Sequence, residues 1–224
     1  MQERIFGTES PGPMTPRLTY EGIVDAASDL IAAEGFRGLS MRKLGERLGC
    51  AAMSLYRHFA TKEELLSVLA DRLVAEVKLP DPELAWDARI TDYFVKVEQL
   101  FRHHPELAEI SARQHLNSTA AFRGVEMVLG ALREAGLDSE QAVSAWYALT
   151  FFTAGFAQRR ATEHAERDRD GGRRRRIGAL PRDGFEHFHE IAAMYTGGLS
   201  DQDFESALHV VLAGVATLGK KAPR

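Results

Sequence analysis

The sequence predicts an all-α protein. Apolar residues recur at helical spacing in nearly every segment, and the two-residue alternation of half-buried strands is absent. Glycines and prolines fall where the periodic runs stop, at Gly35, Gly49, Pro80, Pro82, Pro105 and Gly136. They divide the chain into a flexible arm over 1–16, a small three-helix unit over 17–78 and a larger helical domain over 79–224. The stretch 79–84, with Pro80 and Pro82, is the expected joint.

The first helix is expected over 20–34, with Thr19 as N-cap. Ile23, Ala27, Leu30 and Ile31 share one face, and Gly35 ends the run. Phe36 and Leu39 then turn inward. Ser40 caps a second short helix over 41–48, with Leu44 and Leu48 toward the core. Gly49 supplies a turn that lets the next helix leave at a steep angle. That third helix, over 52–58, sends Leu55 and Phe59 inward. Thr61-Lys62-Glu63-Glu64 is a T-x-x-E capping pattern opening a fourth helix that reaches Val77. Further helices are expected over 86–103, 105–114, 119–135, 139–161, 184–196 and 201–218. The stretch 163–183 is charge-dense and nearly free of large apolar residues, so a mobile loop is expected there.

Charge is distributed unevenly. Between residues 37 and 62 stand Arg37, Arg42, Lys43, Arg47, Arg57 and Lys62 against the single acid Glu46, a net +5 in a chain of formal net charge −4. A local basic surface of this kind is what binding to nucleic-acid phosphates needs. Two short helices around a tight turn are the size that sets one helix into a major groove. With Leu55 and Phe59 inward, Ala52, Met53, Ser54, Tyr56, Arg57 and His58 are left toward the outside. Small Ala52 lets the helix start approach the bases, and Met53 suits a thymine methyl. Arg57 offers a fork to guanine or a charge to phosphate, and Ser54 serves either surface. Tyr56 and His58 suit phosphate oxygens. Lys62 adds a cation at the start of the fourth helix. Arg42, at the start of the second, reaches a base edge or a phosphate.

Composition narrows the remaining choices. An apolar fraction of 45% supports a buried core, and overall acidity argues against a passive nucleic-acid coat. The single Cys50 rules out an intrachain disulfide and suits a reducing, cytoplasmic setting. No apolar run is long enough for a membrane span, and the N-terminal residues lack the apolar core of a secretory signal. His103-His104 and His187-Phe188-His189 lack metal-ligand spacing, because such neighbours diverge on a helix. Arg173 to Arg176 reads as a solvated run, and Cys50 as a small packing residue. No Ser-His-Asp order, glycine-rich phosphate loop or paired zinc motif is present. Catalysis, a metal and a cofactor are therefore not expected.

The order of residues adds a resemblance. RLTYEGIVDAASDLIAAEGFRGLSMRKLGERLGCAAMSLYRHFATKEELL resembles the tetracycline-repressor (TetR) family of bacterial transcription regulators, over residues 17 to about 78. The carriers are the EGxxxLSMRKLxxxLG core, the MSLYRHF helix and the TKEELL helix. Trp86-Asp87, His104-Pro105, ALREAGLDSEQAVSAWYALTFFTAGF and FESALHVVLAGV resemble the family's C-terminal domain. The resemblance implies an all-α homodimer that binds double-stranded DNA at an inverted repeat. It implies a C-terminal helical ligand-binding and dimerisation domain, and release of the DNA by a small-molecule effector. The last long helices, here 139–161 and 201–218, would pair between subunits as a four-helix bundle. Trp146, Phe152, Leu208, Leu212 and Val215 are the expected interface. The effector pocket is expected among Phe94, Val97, Phe101, Ile110, Arg113, Gln114, Met127, Trp146, Thr150 and Phe151, a mostly apolar set with a few polar groups. In tetracycline-binding members a histidine holds a magnesium–drug complex; Ile110 falls at that place, which implies a different ligand. The alternatives are a helical small-molecule- or protein-binding module with vestigial DNA contact, and an all-α enzyme.

Overall fold

The computed structural model describes residues 18–107, 110, 119–166, 171–195 and 198–219. Among them every regular element is helical: α1 (Tyr20–Gly38), α2 (Met41–Leu48), α3 (Ala52–Leu55), α4 (Lys62–Ala75), α5 (Trp86–His103), α6 (Thr119–Glu134), α7 (Ser139–Glu166), α8 (Gly171–Gly178), α9 (Glu186–Tyr195) and α10 (Asp201–Gly219). The chain divides into two compact units, Met1–Lys62 and Glu63–Arg224. The division falls at the start of α4 rather than at the proline pair.

In the first unit the caps act as their residue types dictate. The Thr19 hydroxyl accepts from the Gly22 N–H at 3.1 Å, and the Ser40 hydroxyl from the Lys43 N–H at 3.2 Å. Gly35 leaves the helical path within α1 at φ 71°, ψ 172°, which turns Phe36 into the core. Ile23, Ala27, Leu44, Leu55 and Phe59 are fully buried, and Tyr20 stacks on Phe59 with ring centroids 4.8 Å apart. A large side chain buried in this way stabilises the fold by about 1.5–3 kcal/mol.

The turn between α2 and α3 rests on two glycines. Gly49 is left-handed, at φ 65° and ψ 28°, and its N–H donates to the Glu46 carbonyl at 3.3 Å. At Gly45 a β-carbon would lie 2.7 Å from the Cys50 carbonyl oxygen, so only glycine lets the turn fold back on α2. Gly45→Ala is expected to destabilise the domain by about 1–3 kcal/mol, as overpacking against fixed backbone does. Urea unfolding of the variant measures this, and an unchanged midpoint would contradict the packing of the turn.

Two expectations are corrected here. The third helix is Ala52–Leu55, not 52–58. At Tyr56 ψ rises to −8°, and the His58 and Phe59 N–H groups both donate to the Leu55 carbonyl, at 2.9 and 3.1 Å. This tightened turn delivers Phe59 to the core. The stretch 163–183 is not a loop throughout. α7 continues to Glu166, and Gly171–Gly178 forms α8. Alanine, glutamate and arginine favour helix on backbone propensity alone, without large apolar residues. The N-terminal arm 1–16 lies outside the described residues.

In the second unit α5, α6, α7 and α10 pack around one core. Ile90, Phe94 and Phe101 from α5 meet Val128 and Leu132 from α6, Leu149 from α7, and Phe204 and Leu208 from α10, all buried. Phe204 is clasped by Phe152 and Phe156, at centroid distances of 5.6 and 5.1 Å. One charged network crosses this core. Arg160 on α7 bonds Glu98 on α5 at 3.1 Å and Asp201 on α10 at 2.6 Å, and Arg102 bonds Asp201 at 2.8 Å. The Glu98 residue is only 2% exposed. Among the described residues no helix is long and apolar enough to cross a membrane.

Candidate nucleic-acid interface and ligand domain

α2, the Gly49 turn and α3 form the geometry that the basic window required. Met53 is 76% exposed, Tyr56 44%, and Arg57 is also exposed. Ala52, Ser54, His58 and Lys62 are half-buried. An exposed methionine beside an exposed tyrosine and arginine gives the helix both apolar and charged contact groups. Met53 and Tyr56 do not contribute to the core, which α3 reaches through Leu55 alone.

Five of the six basic residues of the window fall into two groups. Arg42 is ion-paired with Glu46 at 2.6 Å, Lys43 with Glu34, and Arg47 with Asp29 at 3.1 Å. Arg57 and Lys62 make no ion pair among the described residues. Arg42 and Glu46 are both largely exposed, and an exposed pair of this kind is worth at most about 1 kcal/mol. A phosphate can therefore displace Glu46 at little cost, whereas Arg57 and Lys62 need displace nothing.

The pocket candidates scatter more widely. Phe94, Val97 and Phe101 are buried in the core, while Ile110, Met127, Trp146 and Thr150 are half-buried. Trp146 leans on Phe94, with centroids 6.1 Å apart. Phe151 points the other way. It is 60% exposed and stacks on Tyr147 outside the core. Arg113 and Gln114 lie outside the described residues. A groove of about 410 Å³ also opens between α5 and α10, lined by Asp87, Thr91, Asp92, Glu205 and His209. None of the expected pocket residues borders it. Among the described residues no cluster of three or more histidine, cysteine or carboxylate side chains could hold a metal.

The expected interface residues also sort unequally. Leu208, Leu212 and Val215 are buried within their own chain, because the apolar stripe of α10 closes this unit's core. Phe152 is half-buried against Phe204. On these two helices the large apolar side chains left in solvent are Val143, Tyr147 and Phe151 of α7, and Val210 and Leu218 of α10. The α7 set recurs every four residues, and that signal was available in the sequence.

A capped helical unit with a left-handed glycine turn and a short exposed helix followed by Arg57 defines the helix-turn-helix class of DNA-binding domain. The chain belongs to the TetR family of bacterial regulatory proteins. Residues 23–69 match the family's N-terminal model, and residues 79–218 match the tetracyclin repressor-like C-terminal domain. Over 164 residues the chain is 32% identical to the HTH-type transcriptional repressor DrrR1 of Streptomyces coeruleorubidus, covering 72% of this chain and 60% of the relative. It is also 32% identical over 151 residues to an HTH-type transcriptional regulator of Saccharopolyspora erythraea, covering 67% of this chain and 64% of that one. The matches thus span less than two thirds of either relative's length. The fold is similar to that of ActR from Streptomyces coelicolor without ligand, at TM-score 0.82 and 27% identity, over 91% of this chain and 99% of ActR. The ActR complex with actinorhodin superposes at 0.79 with 30% identity, over 92% of this chain and all of ActR.

Proposed function

We propose that this chain is a ligand-responsive DNA-binding transcription regulator of the cytoplasm, acting as a repressor. It binds an inverted-repeat operator as a homodimer and is released by a small molecule. The observation that carries the reading is α3 and the turn after it, which leave Met53, Tyr56 and Arg57 in solvent, with Arg57 in no ion pair among the described residues. The DNA-contacting set is Arg42, Ala52, Met53, Ser54, Tyr56, Arg57, His58 and Lys62. Residues 17–78 serve DNA and 79–224 serve effector and partner. That ActR is solved with actinorhodin supports a small-molecule role for the C-terminal domain.

Dimerisation uses the exposed stripe of Val143, Tyr147 and Phe151 with Val210 and Leu218 of α10, flanked by half-buried Trp146 and Phe152. Apolar side chains left in a continuous row on two neighbouring helices are what a subunit interface buries. Two recognition helices then meet half-sites about one turn apart, roughly 34–36 Å. Effector and DNA oppose each other reciprocally, with a coupling free energy of about 1–3 kcal/mol.

Selection from random duplexes tests the whole reading. The enriched sequences are expected to be two-fold symmetric, and a small molecule to release them. Enrichment of no sequence, or of single unpaired half-sites, would contradict it. Lys62→Ala is expected to weaken binding to all selected sequences by a similar factor, since a phosphate contact carries no sequence information. A gel-shift series across several operators reads that uniformity.

A further inference from the structure

One ion pair on α2 contributes little to the fold. Arg42 Nη1 donates to Glu46 Oε1 at 2.6 Å, one turn along the same helix, with the two side chains 77% and 59% exposed. Its order runs against the helix dipole. A cation stands in the first turn of Met41–Leu48 and an anion in the last, where the reverse order stabilises a helix. The other cations of α2 join helices: Lys43 reaches Glu34 and Arg47 reaches Asp29, so each ties α2 to α1. Arg159–Glu163 on α7 shares the unfavourable order, but Glu163 also accepts the Leu199 N–H at 3.1 Å. Glu46 makes no second ion pair among the described residues, and its side chain ties α2 only to itself.

Glu46 is also the only acid between residues 37 and 62. A carboxylate among cations that face phosphates repels what they attract. Its pairing with Arg42 gives it a use. A guanidinium carries several N–H donors in a rigid plane, so one taken by Glu46 leaves others for an acceptor beyond it. A guanine edge presents two uncharged acceptors, which Arg42 can take while Glu46 stays in place. A phosphate has to displace Glu46 or lie beside a like charge. Glu46 therefore tilts Arg42 away from the DNA backbone and toward a base.

We propose that Glu46 is a positioning residue that holds the Arg42 guanidinium for a guanine edge, making Arg42 a reader of sequence rather than a phosphate clamp. This rests on the reading that the chain binds DNA through α2 and α3, and it gives Arg42 one of the two partners open to it.

Competitive gel shifts of the full chain test this, on the operator selected from random duplexes and on its single-base variants. Arg42→Ala is expected to lose preference for guanine at one position of each half-site by about five- to 150-fold, the range for a bidentate arginine–guanine contact. Glu46→Gln is expected to relax that same position by about three- to fivefold, as loss of an exposed ion pair implies. It also steepens the plot of log affinity against log salt by about 0.9, as Arg42 turns to a phosphate. In the Arg42→Ala background Glu46→Gln changes no base preference, because nothing is left to position. Arg42→Lys keeps the charge without the fork, and at that position it behaves as Arg42→Ala does. A carboxylate that merely repels DNA gives another result: Glu46→Gln then tightens binding to every sequence alike and leaves base preference intact. That result would overturn the proposal. So would a base preference altered by Glu46→Gln in the absence of Arg42, or an Arg42→Ala protein with unchanged preference. Failure of the underlying reading looks different, since an unaltered chain that enriches no sequence contradicts DNA regulation itself and removes this assignment with it.

Discussion

Arg160→Met is expected to destabilise the C-terminal domain by about 3–5 kcal/mol, the range for stranding one half of a buried ion pair. Glu98 is 2% exposed and accepts from Arg160 at 3.1 Å, so the variant leaves a carboxylate in the core without its cation. Attraction between the two charges is not the main term. Taking them out of water offsets most of it, and the large loss comes from the charge left behind. The double variant Arg160→Met with Glu98→Met is therefore expected to recover most of the stability. Urea unfolding of the two single variants and the double variant reads this directly. If Arg160→Met unfolds at the same urea concentration as the parent, the network does not exist in solution. The same network predicts an acid dependence. The hydrogen bond from Arg160, aided by Arg102, holds the Asp201 carboxyl below the usual carboxylate range. Its stabilisation is complete above the ordinary carboxylate pKa and is lost as pH falls through the depressed folded value.

The second large effect separates interface from core. Tyr147→Asp with Phe151→Asp is expected to give a folded monomer. Both side chains stand half or more in solvent and stack on each other with centroids 5.7 Å apart, so the chain's own core does not need them. Leu212→Asp is expected to unfold the domain instead, because Leu212 is 4% exposed and a carboxylate there has no partner. Sedimentation and far-ultraviolet circular dichroism together distinguish the outcomes. A dimer that survives the double aspartate change would place the subunit contact elsewhere.

These two cases show where sequence reading succeeds and where it stops. The start of α1 and both ends of α2 were legible because Thr19, Ser40 and Gly49 carry their own local chemistry, whereas Gly35 marks a kink and α1 runs on to Gly38. The basic window was legible because charge needs no tertiary context. The end of α3 was not, since Tyr56 keeps a helical φ and the turn is decided by burial of Phe59. The burial of the α10 stripe was not legible for a related reason. The period of Leu208, Leu212 and Val215 marks an apolar face without saying which surface covers it, and here the chain's own helices do. On α7 apolar residues occur on most sides, so adjacent Phe151 and Phe152 could not be told apart, although one is exposed and the other rests on Phe204. The basic helix α8 escaped because its glycines argue against helix and Ile177 is its only large apolar side chain.

Docking of a paired α3, with the cations that flank it, onto DNA is tested most directly by the salt dependence of binding to a selected operator. A plot of log affinity against log salt is expected to be linear and steeply negative, from release of phosphate counterions. Arg57→Ala is expected to flatten that slope by about one unit if Arg57 meets a phosphate. If it meets a guanine, specificity at one base position relaxes at a cost of about 1–3 kcal/mol. Affinity that ignores salt, or an Arg57→Ala protein with unchanged slope and unchanged base preference, would contradict the assignment of α3 and its turn as the DNA-reading surface.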